Sequence, residues 1–216
     1  MVERQLPKLK VAGSRPVARL LLHLHAADIA PESQGVEMME LERERDVLRK
    51  ALLDTWRTNH RVTIFLFENL PDELWPLKIP GAPRRTVRMI AGHVHNTRCM
   101  WIKMLGKKLD LALPKSVNRH RVSREELIPA LELSSEGIIG LLEVGLDRDG
   151  KIPGFPPDVV HFLAYLVAHE GHHRGQICMV ARQLGYRLPD EVLYGLWQWS
   201  KRAKEARAHV TLETAP

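Results

Sequence analysis

The segment DVVHFLAYLVAHEGHHRGQICMVARQLG, residues 158–185, has the clearest helical pattern in the sequence. Its apolar residues recur every three or four positions, which is the spacing of one face of an α-helix. These residues are Phe162, Leu166, Ile177, Val180 and Leu184. The pattern predicts a long amphipathic helix from about Asp158 to Leu184, and Gly185 is a residue type that commonly closes a helix.

Similar patterns on the N-terminal and C-terminal sides of this segment predict further helices. These helices are predicted at about residues 40–69, 86–105 and 124–144, and a last helix follows Pro189. Ser123 with Glu126 three positions later forms a capping box at the start of the third helix. Alternating β-branched residues, which are typical of strands, are almost absent. We therefore expect an all-α fold, an antiparallel four-helix bundle with an additional C-terminal helix.

The predicted helices divide the chain into three parts. Residues 1–36 contain several prolines and glycines without sustained periodicity, so we expect a loosely ordered N-terminal extension there. The helical bundle is expected over residues 37–208, and residues 209–216 form a short C-terminal tail.

The composition is that of a folded protein without a membrane span. Of the 216 residues, 44% are hydrophobic and 27% are charged, which is enough apolar material for a sizeable core. No run of 18 or more apolar residues occurs, which argues against a spanning helix. The two cysteines, Cys99 and Cys178, lack CxxC spacing and are expected to be small core residues. With no evident export signal, the predicted location is the cytoplasm.

Two histidines, His169 and His173, occupy apolar-face positions of the long helix and therefore lie on the same side of it. Burying two imidazoles side by side is unfavourable if either is protonated, whereas a metal ion bound by both removes the conflict. A third ligand has to come from another helix. His93, on the second helix, is predicted to face the interior of the bundle, and His95 is predicted to point away from that interior. His60, on the first helix, is the weaker candidate.

The same residues allow a second interpretation. Residues 169–173 spell HEGHH, which matches HExxH, the motif in which Glu170 would be the general base of a zinc protease. The related metzincin motif requires Gly at position 176 and His at position 179, where this chain has Gln176 and Met179. A protease is therefore the less favoured alternative.

Other polar positions near this motif are expected to have structural roles. The histidines treated as ordinary polar residues are His95, His120, His161 and His172. Arg174 is expected to be structural, through an ion pair with an adjacent helix. Gly175 lies in mid-helix, where it costs about 1 kcal/mol relative to Ala. Either a close approach of another group compensates for this cost, or the cost is simply tolerated.

Basic residues are concentrated between Arg84 and Arg124, where eleven Lys and Arg accompany only Asp110. Such a stretch could bind an anionic substrate, an acidic partner or nucleic acid. Nucleic acid is not expected, because apart from Trp101 no aromatic residue is interleaved to stack on bases. A solvated basic face is the simpler interpretation, and a non-catalytic, metal-stabilised binding module that uses this surface is the alternative to an enzyme.

The motifs HEGHHRGQI, residues 169–177, and GHVHNTRCMW, residues 92–101, resemble those of the DinB/YfiT-like family. The likeness extends over roughly residues 40–206. It implies a four-helix bundle that binds a divalent ion, usually zinc or nickel, through His93, His169 and His173. It also implies a homodimer and a reaction with a small-molecule substrate such as a low-molecular-weight thiol.

The expected function is that of a metal-dependent enzyme. Three histidines leave a coordination position open, as a catalytic metal requires. A thiol bound there leads to S-transferase chemistry and a water to hydrolysis, and the sequence leaves both open. It identifies no catalytic residue beyond the metal ligands.

Overall fold

The structure, a computed structural model, describes residues 31–106, 109, 111–155 and 158–213. Helices dominate these residues, so the predicted all-α class is confirmed. The helices are α1 (Pro31–Glu68), α2 (Val87–Gly106), α3 (Arg124–Asp147), α4 (Val159–Gln183), α5 (Asp190–Gly195) and α6 (Trp199–Glu213). None of the helices in the described part of the chain has the length and apolar character needed to cross a bilayer.

The chain divides into two compact units, Met1–Glu44 and Arg45–Pro216. In the first unit, α1 begins at Pro31, which is earlier than the predicted start near residue 40. The side chains of residues 36–44 are exposed. Residues 1–30 of the predicted extension and residues 214–216 of the predicted tail lie outside the described residues, and the boundaries at 36 and 208 stay predictions.

The second unit contains a short hairpin that the sequence pattern did not predict. Strands β1 (Lys78–Ile79) and β2 (Ala82–Thr86) pair antiparallel between α1 and α2. Gly81, between them, has a φ of 72°, a conformation that favours glycine. Strands this short have too few positions to display an alternating pattern. The predicted last helix is also divided in two, because the helix is interrupted between the end of α5 at Gly195 and the start of α6 at Trp199.

The helix starts and turns follow the capping residues. Ser123 and Glu126 form the predicted capping box at the start of α3. Asp158 caps α4 by accepting hydrogen bonds from the backbone N–H groups of residues 160 and 161. These contacts satisfy donors that a helix start leaves without intrahelical partners.

Two clusters of buried apolar residues form the core, and all four long helices contribute to both. One contains Phe67, Val94, Leu131 and Ile177, and the other contains Trp56, Ile102, Leu142 and Phe162. On each helix, buried polar residues lie in sequence between the members of the two clusters. This polar layer consists of Thr58, Asn59, His60, Thr63, His95, Thr97, Arg98, Ser134, Ser135, Glu170, His173 and Arg174.

Candidate metal centre

Three histidines from two helices meet at the edge of the polar layer. His93 is on α2, and His169 and His173 are one turn apart on α4. One ligand atom from each lies within 4.8 Å of the other two. The Nε2 atoms of His169 and His173 are 3.1 Å apart, and the ring of His93 is centred 5.3 Å and 4.8 Å from theirs. The structure therefore brings together the three histidines that the sequence selected.

A glutamine sets the orientation of one of these rings. Oε1 of Gln176 lies 2.8 Å from Nδ1 of His173, so it accepts the hydrogen bond of an Nδ1–H group. That tautomer leaves the Nε2 lone pair of His173 directed toward His169. The sequence analysis used Gln176 only to argue against a metzincin. Its position three residues after His173, on the same helix face, was the signal for this second role.

The electrostatic environment keeps the three imidazoles neutral. Burial, followed by repulsion from His173 and His93, lowers the pKa of His169 to about 4. Burial also lowers the pKa of His93 and of His173. At neutral pH the rings are therefore in the unprotonated form that a metal ion requires of its ligands.

The donor set fits a divalent transition metal. Imidazole nitrogen is a preferred ligand for zinc, nickel and copper. Two nitrogens that each lie 2.0–2.1 Å from a tetrahedral zinc ion are about 3.3 Å apart. The 3.1 Å between the Nε2 atoms of His169 and His173 is close to that value. The ligand atom of His93 lies within 4.8 Å of the other two, so His93 is the third residue that would hold the ion.

Aromatic side chains cover one side of the histidine group. The ring of Tyr165 stacks on His169, with centroids 6.0 Å apart and an interplanar angle of 23°. Trp101 meets Tyr165 edge to face at 5.5 Å and also contacts Phe155 and Phe162. Four aromatic rings thus lie together beside His169, with Tyr165 at the protein surface.

Glu170, the residue after His169, points into the polar layer. Its carboxylate, 1% exposed, accepts hydrogen bonds from Asn59, Thr63 and two nitrogens of Arg98, at 2.7–3.0 Å. Burial alone would raise the pKa of Glu170, but the charge and hydrogen bonds of Arg98 outweigh this effect and hold it below its usual value. A carboxylate with four donors inside the protein is poorly placed to act as the general base of a protease.

Arg174 is buried in the same layer, as expected of a structural residue. It donates to Asn59 at 3.0 Å and to Thr63 at 2.7 Å. Its acidic neighbour is Glu170 on its own helix, at 3.8 Å, rather than a residue of an adjacent helix. Gly175, by contrast, has nothing within 4 Å of the place a Cβ would occupy, so the close approach considered for it is not found.

The prediction that only one of His93 and His95 faces the interior was wrong. His95 is fully buried, with Nδ1 3.1 Å from the hydroxyl of Ser134 and Nε2 3.0 Å from the carbonyl of Lys115. The segment after α2 folds back over this side of the helix, so both sides are covered. His95 thus connects α2 to α3 and to the segment after α2, while His93 belongs to the histidine group.

The remaining predicted polar residues have varied surroundings. His60 is buried, with Nε2 2.7 Å from Glu132 and Nδ1 3.1 Å from Arg98, so it belongs to the polar layer and not to the histidine group. His120, His161 and His172 are exposed. Burial raises the pKa of the thiols of Cys99 and Cys178, which fits packing residues rather than reactive ones.

A cavity of about 830 Å³ lies elsewhere, between α1, α3 and α6. His60 and Glu132 line it, together with apolar residues such as Ile64 and Leu133, and none of the three clustered histidines does. Arg98 connects His60 in its wall to Glu170 on α4. The cavity is therefore separate from the candidate metal centre.

Comparison with protein families gives one match. Residues 154–205 match the family model described as the DinB family. This segment of the chain is DinB-like. The resemblance predicted from the sequence is thereby confirmed over a segment that spans α4, α5 and part of α6 and includes His169 and His173 but not His93. A search among curated proteins and a search among solved structures each gave no match.

Proposed function

We propose that this protein is a metal-dependent enzyme whose divalent ion, zinc or nickel, is held by His93, His169 and His173. The observation that supports this most directly is the convergence of three neutral imidazoles, with ligand atoms within 4.8 Å of one another. When bound, the ion supplies Lewis-acid chemistry that lowers the pKa of a thiol or water at its free position. The reaction class is thiol-dependent S-transfer, with hydrolysis as the second candidate.

The chain's own residues prepare this site. Gln176 holds the proton of His173 on Nδ1, so that Nε2 is free to bind. The ring of Tyr165 lies against His169 and restricts its rotation. Arg98 and Glu170 connect α2 to α4 one residue away from His169, so they hold the two ligand-bearing helices together. Such a supporting shell is what keeps ligands in position.

A purely structural metal is the competing function. Structural zinc sites are almost always closed by four protein ligands, whereas catalytic sites have three and an open position. Within the described residues, the group has three His, Cys, Asp or Glu members. The count therefore favours the enzyme.

The DinB-like segment supports three further proposals. They are that α1–α4 form the antiparallel four-helix bundle, that the protein is a cytoplasmic homodimer, and that its substrate is a small molecule of the low-molecular-weight thiol class. The contacts that α2 makes with both α3 and α4 are compatible with the first proposal.

Metal content tests the proposal. Purified protein is expected to contain about one equivalent of zinc or nickel by elemental analysis. His173→Ala should lose the metal and remain helical by circular dichroism, because the apolar clusters stay intact. His172→Ala is the matched control, since this exposed neighbour should leave the metal in place. Equal metal content in both variants would contradict the ligand assignment. If only His173→Ala loses the metal, turnover of the wild-type protein with a panel of thiols and electrophiles defines the reaction.

A further inference from the structure

The cavity between α1, α3 and α6 has the size and the lining of a small-molecule site. Its volume is about 830 Å³, and ligand pockets in proteins occupy roughly 300–1,000 Å³. Apolar side chains such as Ile64 and Leu133 line it. Among the described residues, α6 contributes Glu205 and two alanines, Ala206 and Ala208. The short alanine side chains leave room that longer side chains would fill.

Carboxylates outnumber guanidinium groups in the lining. Among the described residues, the charged groups that line the cavity are those of Glu68, Glu132, Glu136, Glu205, Arg57 and Arg61. Arg61 pairs with Glu68 at 2.8 Å and with Glu205 at 2.9 Å, and Arg57 lies 3.6 Å from Asp54. The positive charges of the lining are thus already engaged by carboxylates. A cleft with an excess of negative charge attracts a positively charged ligand.

A buried histidine holds one of these carboxylates in the wall. Nη1 of Arg98 donates to Nδ1 of His60 at 3.1 Å, so the proton of this imidazole is on Nε2, which donates to Oε2 of Glu132 at 2.7 Å. Burial lowers the pKa of His60 and keeps the ring neutral at neutral pH. The ring therefore orients the Glu132 carboxylate without adding a positive charge beside it. The charge of Arg98 is itself paired with Glu170.

A second carboxylate lies one helical turn away. Glu132 and Glu136 are four residues apart on α3, and both line the cavity. Like charges at this spacing destabilise a helix. A cation bound beside both carboxylates offsets their repulsion.

We propose that this cavity binds a small amphiphilic cation, an apolar molecule that carries one protonated amine. The ammonium group lies at Glu132 and Glu136, and the apolar part packs against side chains such as Ile64, Ile128 and Leu133. An ammonium donates charge-assisted hydrogen bonds to carboxylates, which are stronger than those between neutral groups. The inference goes beyond the proposed function and does not rest on it, because none of the three clustered histidines lines the cavity.

A matched pair of probes tests the site. Tryptamine and tryptophol share an indole and a two-carbon chain, and at neutral pH only the amine is charged. Each is titrated into the full-length protein, and binding is followed by ligand-observed NMR. The side chain of Glu132 is 40% exposed, and a partly exposed ion pair strengthens binding by up to about fivefold. Tryptamine should therefore bind roughly fivefold more tightly than tryptophol.

Two substitutions on α3 test the charge. Glu132→Gln retains an oxygen that accepts from His60 but removes the negative charge, so the two probes should then bind with affinities within about twofold of each other. Glu143→Gln is the matched control, since it removes the same charge from the same helix at a position that does not line the cavity. It should retain the preference for tryptamine.

Two further variants test the location. Ala208 is exposed and lines the cavity, so Ala208→Trp should fill part of the space and weaken both probes while the fold is retained. His173→Ala should bind tryptamine as tightly as the wild type, which distinguishes the cavity from coordination of the amine by a metal ion at the histidines.

The outcomes are distinct. Absence of binding, equal affinities of the wild type for the two probes, or equal loss of the preference in Glu132→Gln and Glu143→Gln would overturn the proposal. Unchanged binding in Ala208→Trp, or loss of tryptamine binding in His173→Ala, would overturn it as well. A second copy of the chain in the cavity would also overturn it, and would show as a dimer that binds neither probe and dissociates in Ala208→Trp by analytical ultracentrifugation.

Discussion

Replacing Arg98 by methionine is expected to destabilise the fold strongly, because it removes the main counter-charge of a buried carboxylate. Arg98 is 1% exposed and donates to Glu170 at 2.7 Å and 3.0 Å and to the carbonyl of Leu131 at 3.0 Å. Without it, Glu170 keeps only Asn59 and Thr63 as close donors, with Arg174 at 3.8 Å.

The magnitude follows from the cost of leaving one member of a buried ion pair alone. Breaking such a pair costs about 3–5 kcal/mol. That is a large part of the roughly 5–15 kcal/mol by which domains are stable, so urea unfolding should resolve it easily. An exposed pair provides the control: Arg187 and Asp190 are 2.9 Å apart, and both side chains are largely exposed. Arg187→Met should cost less than about 1 kcal/mol.

A double-mutant cycle tests the reason. Glu170→Gln removes the charge that Arg98 neutralises. If the two side chains stabilise each other, the Arg98→Met/Glu170→Gln protein is more stable than the sum of the two single effects predicts, by about 1–3 kcal/mol. Additivity within about 0.5 kcal/mol, or a cost of Arg98→Met no larger than that of Arg187→Met, would refute the reasoning.

Two further predictions concern a buried histidine and a pair of helical glycines. Burial lowers the pKa of His60 below 6.5, so the unfolded chain takes up more protons as pH falls and stability is lost below the unfolded pKa. The measurement is made in the presence of a chelator, so that bound metal does not contribute to the pH dependence. As the pH falls from about 7.5 to 5.5, the free energy of unfolding from urea titrations should fall more steeply for the wild type than for His60→Gln. Parallel pH profiles of the two proteins would contradict this. Gly175→Ala should raise the melting temperature by removing a cost of about 1 kcal/mol, because its surroundings are open. Gly145→Ala should lower it by the equivalent of about 1–3 kcal/mol, because a Cβ would lie 2.8 Å from Cγ1 of Ile152. Shifts of the same sign in both variants would argue against this account of packing.

The sequence predicted the long helices and the histidine group for one physical reason. Helical periodicity is local, and His169 and His173 occupy apolar-face positions of the helix that also contains Phe162 and Ile177. The third member, His93, could be selected because it shares a face with Ile90. What periodicity could not predict was the burial of His95, which depends on where the chain goes after α2.

The missed residues also depend on contacts between distant segments. Arg98 and Asn59 look like ordinary surface residues in a helical pattern, and only the packing of α1, α2 and α4 shows that they surround Glu170. The close approach of Arg119 to Gly92 is of the same kind, because the significance of that glycine appears only when the facing backbone is known. The β1–β2 hairpin was missed because it is too short for a periodic signal.

The polar layer has a consequence for how the long helices align. If α4 slid by one turn along α2, about 5.4 Å, Glu170 would leave Arg98 and enter one of the two apolar clusters, where an unpaired charge is very unfavourable. An interior built only from leucine-like residues would tolerate several such registers. We therefore expect the buried ion pair to select one sliding position of α4 against α2, and with it the single alignment in which His93 meets His169 and His173.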